Sequence, residues 1–198
     1  MFQERYAMSG KVSGAKSFFE RDAVKEVLVW IFQIAVVLAC AVVAAIFFFQ
    51  TVTMQEGSME PTLASGDRFF INRMAYKLGS PKRGDLIVFK TSSKQDASLH
   101  IKRVIGLPGE TIQIKDGQIL INGETYKEGR DFPSISSPGL AEEEITIQNG
   151  EYFVLGDNRN NSDDSRYGDV GNVQKKYIEG KIWFTAGPLK KIGLVKDK

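Results

Sequence analysis

From Val27 to Phe49 the chain carries no charged side chain, and Gln33 is the only strongly polar one. At 1.5 Å per residue, such a run makes a helix of roughly 34 Å, enough for a hydrocarbon core near ~30 Å with modest tilt. Trp30 at one end and Phe47-Phe48-Phe49 at the other suit the two interfaces. The core of a cleavable leader would span only about 7–15 residues. The small pair Ala39 and Ala41 falls mid-helix, out of a protease's reach. An uncleaved single-pass anchor at 27–49 is therefore predicted, with a polar tail at 1–26. Lys11, Lys16, Arg21 and Lys25 precede the span, whereas Arg68 is the first basic residue after it. The positive-inside rule leaves the tail in the cytoplasm and puts residues 50–198 on the outer face of the plasma membrane.

Beyond the span the pattern changes to short β-type runs bounded by turn residues: 68–72, 85–90, 99–105, 144–148, 152–155 and 178–184. Thr111 to Ile114 and Gln118 to Ile121 flank Lys115-Asp116-Gly117, which reads as a tight hairpin, and Asn122-Gly123 adds a second turn. Only one helical turn is expected, near 73–78. The fold class is mainly β: an antiparallel sheet or barrel-like domain with a small β insert at about 107–152. The stretch from Lys127 to Glu143, rich in Gly, Pro, Ser and acids, has the composition of the least ordered part.

Counts narrow the chemistry. A net charge of +2 and no basic run interleaved with aromatics argue against a nucleic-acid binder. One cysteine, Cys40, allows no disulfide framework and no cysteine metal site. With His100 as the sole histidine, poly-histidine zinc sites are excluded, and a Ser–His–Asp triad must use that residue.

Two side chains stand out. Ser58 lies in Gly57-Ser58-Met59-Glu60-Pro61, about eight residues past the apolar run, where an exposed serine would sit at the membrane surface. Read blandly it is a solvated turn serine, although Gly57 leaves room for a substrate chain. Lys102 lies in a strand whose alternation puts His100, Lys102 and Val104 on one face and Leu99, Ile101, Arg103 and Ile105 on the other. It reads either as a snorkelling surface lysine or as a buried amine. An ordinary lysine, with a pKa of about 10.4, is under ~0.1% neutral at pH 7. Desolvation disfavours the charged form and makes a general base available. A serine and a buried lysine together suggest a Ser–Lys hydrolase. A third cluster runs from Gly156 to Gly168. Its Asn, Asp and Ser content suits turns or a calcium loop, but the EF-hand spacing fails. Arginines among aspartates suggest ion pairs bracing the loop, with Ser162 free to bond a catalytic group.

Four ordered blocks carry a family resemblance: 57–63, 83–89, 100–110 and 156–166. In them the chain closely resembles type I signal peptidases, membrane-bound Ser–Lys endopeptidases that remove signal peptides. The resemblance spans the anchor and nearly all of 50–188. It implies Ser58 as nucleophile and Lys102 as general base. Ser162 would orient the lysine, and Asp164 with Arg166, and Asp157 with Arg103, would brace the site. The implied substrates are preproteins delivered by the export machinery, cut after small residues, with no cofactor or metal. The signal peptide would lie extended beside Val52, Met54, Gln55 and Glu56, with Met59, Leu63, His100 and Ile101 completing the binding surface. Glu56 occupies the position of the family's second oxyanion donor, and an ionised carboxylate cannot donate. It is expected to turn away. His100 stands where the family has a bulky aromatic and is read as pocket lining. A LexA-type autoprotease shares this chemistry but has a helix-turn-helix where this chain has its apolar span. A membrane-anchored, non-catalytic β binding module is the alternative from another class.

Overall fold

The computed structural model describes residues 22–48, 50–92, 98–187 and 192–195. Residues 1–21, most of the expected tail, lie outside them, as does Phe49. By chain contacts the molecule divides into two units, 1–46 and 47–198.

The first unit is one helix, α1 (Asp22–Phe48). Its stretch Val24–Ala45 is long and apolar enough to cross a membrane, and none of it is buried. Val27, Trp30, Phe32, Val37 and Val42 are all exposed. A helix apolar on every face needs apolar surroundings, which fits a transmembrane anchor.

The second unit is mainly β and antiparallel. Its strands are β1 (Gln50–Thr53), β2 (Arg68–Asn72), β3 (Leu86–Lys90), β4 (Leu99–Gly106), β5 (Thr111–Lys115), β6 (Gln118–Ile121), β7 (Glu124–Thr125), β8 (Ile145–Thr146), β9 (Glu151–Leu155), β10 (Val173–Gln174), β11 (Ile178–Gly187) and β12 (Gly193–Leu194). A single helical turn, α2 (Ala75–Leu78), follows β2. An eight-stranded sheet takes the order β1-β2-β11-β3-β4-β9-β10, with β12 paired to β11. Four short strands form a second sheet, β7-β6-β5-β8. The expected hairpin joins β5 to β6: Asp116 and Gly117 adopt φ of 52° and 75°, the pair of positive values that a tight primed turn requires.

Alternation along β3 and β4 divides the interior. Leu86, Val88 and Ile101 join Met54, Met59, Leu63, Phe69, Ile71 and Ile182 in one buried cluster. Ile87, Phe89 and Val104 join Tyr76, Tyr152, Val154 and Val173 in another. A third ties the small sheet to the large one, with Ile112, Ile114 and Ile119 packed among Ile105, Phe153 and Leu155.

The stretch 127–143 differs from its compositional reading. Its backbone and side chains are tied to the 156–166 loop and to the β5–β6 turn. Ile135 N–H donates to the Gly117 carbonyl, and Ser136 N–H donates to Asn160 Oδ1. Ile135 and Ala141 are buried in the third cluster. Partners distant in sequence supply its order, and local composition carries no trace of them.

Candidate active site

Ser58 follows the end strand β1 on a segment that folds down into the first cluster. Met59 and Leu63 are 0% and 2% exposed there, and Leu63 N–H closes a turn on the Met59 carbonyl at 3.0 Å. From the other side, Asn158 N–H donates to the Ser58 carbonyl at 3.0 Å and Asn158 Nδ2 to the Gly57 carbonyl at 3.1 Å. Anchored below and tied above, Ser58 is 5% exposed. The expectation of an exposed serine is thus corrected, because both neighbouring segments close over it.

Lys102 reaches this serine from β4. The register sets it opposite Ile87, and His100 opposite Phe89, whose ring lies 5.8 Å from the imidazole. Lys102 is fully buried, and its Nζ donates to Ser58 Oγ at 2.7 Å. Burial pushes the lysine pKa below its ordinary value; the nearby carboxylates of Glu56, Asp164 and Asp163 oppose that shift.

Glu56 does not turn away. Its Oε2 lies 3.5 Å from Ser58 Oγ and 3.6 Å from Lys102 Nζ, and its Oε1 lies 3.8 Å from His100 Nδ1. The carboxylate turns in toward the buried Lys102 amine, which corrects the expectation. His100 Nδ1 is buried without a hydrogen-bond partner. Desolvation depresses the imidazole pKa, Glu56 resists, and Lys102 adds to the depression. Ser162 Oγ is likewise buried and unpartnered, so the expected bond to Lys102 is not formed.

The bracing residues form two buried ion pairs. Arg103 Nε and Nη2 meet Asp157 Oδ1 and Oδ2 at 2.8 and 2.6 Å. Arg166 Nε and Nη2 meet Asp164 at 2.8 and 2.9 Å, and Asp164 Oδ2 accepts from Gly156 N–H at 3.0 Å. Bidentate arginine pairs of this kind fix orientation as well as charge. The first holds the 156–166 loop against β4, and the second closes that loop on itself. Gly156 has no room for a side chain: a Cβ there would lie 2.2 Å from Ser162 Oγ and 2.5 Å from the Ser58 carbonyl.

The expectation that the arginines of this loop pair with its own aspartates holds for Arg166 and is corrected for Arg159, whose carboxylate comes from outside the loop. Arg159 is buried, pairs with both Glu128 oxygens at 2.5 Å, and stacks 4.2 Å from the centre of the Phe132 ring. The Arg103 guanidinium lies 5.7 Å from the centre of the same ring. Arg159 stands in the Asn/Asp-rich block, but nothing in the sequence points to Glu128 or Phe132 as its partners.

A groove of about 620 Å³ runs beside β1, lined by Val52, Met54, Gln55, Glu56, Leu99 and Ile101 among others. Five of the eight predicted binding residues therefore line it. Met59 and Leu63 are instead buried in the first cluster, and His100 lies beside Glu56. Among the described residues β1 pairs only with β2, which leaves its other edge beside the groove. Among the same residues no group of three or more His, Cys, Asp or Glu side chains is placed to hold a metal ion.

Comparison with known proteins places this geometry in context. Residues 27–186 match the family model described as signal peptidase, peptidase S26. The chain is 34% identical over 180 residues to signal peptidase I P of Bacillus subtilis subsp. natto, covering 87% of this chain and 96% of the relative. It is 34% identical over 168 residues to a probable signal peptidase I-2 of Synechocystis, covering 82% and 73%. To signal peptidase IB of Staphylococcus aureus (strain COL) it is 32% identical over 179 residues, covering 83% and 91%.

Proposed function

The chain belongs to the signal peptidase family, peptidase S26, and from that premise we propose a membrane-anchored serine endopeptidase that removes signal peptides through a Ser58–Lys102 dyad. The observation that carries this reading is the 2.7 Å contact between Lys102 Nζ and Ser58 Oγ, with the lysine wholly withdrawn from water.

In the proposed reaction, neutral Lys102 takes the Ser58 hydroxyl proton as Oγ attacks the scissile carbonyl. The resulting ammonium returns that proton to the leaving amine, and an ester joins the signal peptide to Ser58. Lys102 then takes a proton from water, which attacks the ester and releases the peptide. The Arg103–Asp157 and Asp164–Arg166 pairs hold the two walls of the site in register. Ser162, next to Gly156, turns to the lysine once substrate is bound.

The preprotein would add an extended segment to the open edge of β1, its main chain bonding the strand and its small side chains entering the groove. Helix α1 would anchor the enzyme in the plasma membrane, with residues 50–198 on the outer face. Preproteins handed over by the export machinery are then the partners.

Purified full-length protein in detergent, mixed with a preprotein, provides the test. Cleavage should fall at least about a thousandfold in S58A and in K102A. Cleavage retained in K102A but lost in H100A would overturn the dyad, and cleavage retained in S58A would leave a non-catalytic role for the site.

A further inference from the structure

Glu56 belongs neither to the dyad nor to its bracing ion pairs, yet its carboxylate faces both reactive atoms. It lies 3.6 Å from Lys102 Nζ and 3.5 Å from Ser58 Oγ, and 3.8 Å from His100 Nδ1. The hydroxyl expected to hold the lysine, Ser162 Oγ, has no hydrogen-bond partner. We propose that Glu56 is a positioning residue of the resting enzyme: its carboxylate holds the Lys102 ammonium against Ser58 and thereby sets the lower pH bound of activity. This inference rests on the Ser58–Lys102 reading above.

The surroundings of Lys102 decide whether one carboxylate has that influence. Burial disfavours the ammonium, and Glu56 is the strongest group opposing it. Asp163 and Asp164, from the loop after β9, act in the same direction, but Asp164 is committed to Arg166. The pKa of His100, from β4 itself, is lowered chiefly by its own burial. Glu56 is therefore the one acid around the lysine that is without a buried arginine partner and within reach of both dyad members. Half of its side chain is exposed, which weakens the attraction without abolishing it. The carboxylate therefore favours the protonated amine that burial disfavours. In the bound complex it must yield, because an anion beside Ser58 opposes the oxyanion that forms there.

The test compares pH profiles of kcat/KM for wild type, E56Q and E56D, using the full chain in detergent and a preprotein. E56Q preserves the shape and removes the charge; E56D restores the charge. On the acid limb, with each enzyme scaled to its own plateau, E56Q should be roughly three- to tenfold faster than wild type. E56D should follow wild type. An acid limb that stays in place in E56Q, with S58A and K102A inactive, overturns the role of Glu56 alone. So does a limb that moves equally in E56D, which would make shape and not charge the cause. Should S58A or K102A remain active, the dyad falls and this inference with it.

Discussion

Removing the Asp157 carboxylate would isolate a guanidinium inside the protein. Arg103 and Asp157 are 4% and 0% exposed and share two short hydrogen bonds. In D157A the guanidinium keeps its bond to the Gly84 carbonyl at 2.8 Å and its place near Phe132, but loses its counter-charge. Breaking one side of a buried pair costs about 3–5 kcal/mol. In a domain of about 150 residues each kcal/mol moves Tm by about 2–4 °C, so Tm should fall by roughly 6–20 °C. The double variant R103M/D157L replaces charge by packing and should recover most of that loss, since apolar replacements of buried pairs are often near neutral. Thermal melts of the full chain in detergent, followed by near-ultraviolet circular dichroism, would measure all three proteins. D157A should also lose kcat, because Arg103 adjoins Lys102 and Asp157 adjoins the Asn158 that ties Ser58. A D157A protein within about 1 kcal/mol of wild type, the level of an exposed pair, would refute the reasoning.

Lys102 should leave a signature in stability against pH. Its folded pKa is lowered by burial, so wild type bears the full penalty below that value and sheds it as pH rises toward the unfolded value of about 10.4. The advantage of K102M over wild type in Tm should therefore be greatest at low pH and shrink as pH rises; a difference independent of pH would contradict this. S162A removes a buried hydroxyl that has no partner, so stability should hold or rise, by no more than about 1 kcal/mol, while kcat falls. A marked loss of Tm would mean that the hydroxyl is bonded in the resting protein. G156A forces a methyl against the Ser162 side chain and the Ser58 carbonyl and should cost about 1–3 kcal/mol together with activity, read from the same melts and from preprotein cleavage. Protease added outside cells with a permeabilised cell wall should digest residues beyond 50 and spare a fragment ending near the helix; full protection would reverse the proposed orientation.

The elements set by local pattern were legible in the chain. Strands β2 and β4 begin at the predicted residues, and the Asp116-Gly117 turn takes the backbone its residue types demand. Alternation along β4 also put His100, Lys102 and Val104 on one face, and the register lays the first two against Phe89 and Ile87. What the sequence hid depends on contacts between distant segments. Whether Ser58 is exposed depends on Asn158, a hundred residues away, and the order of 127–143 depends on Arg159 and Asn160. Glu56 is the sharpest case. From its residue type alone, repulsion by a developing oxyanion predicts a side chain turned outward. In the folded protein the carboxylate turns in instead, toward the buried Lys102 amine. In the proposed reaction the two expectations concern different moments of one cycle, so the resting geometry and the demands of the transition state differ at this residue. A carboxylate that suits the first and opposes the second must move or lose its charge as substrate binds, and its removal should help most where protonation of Lys102 limits the rate.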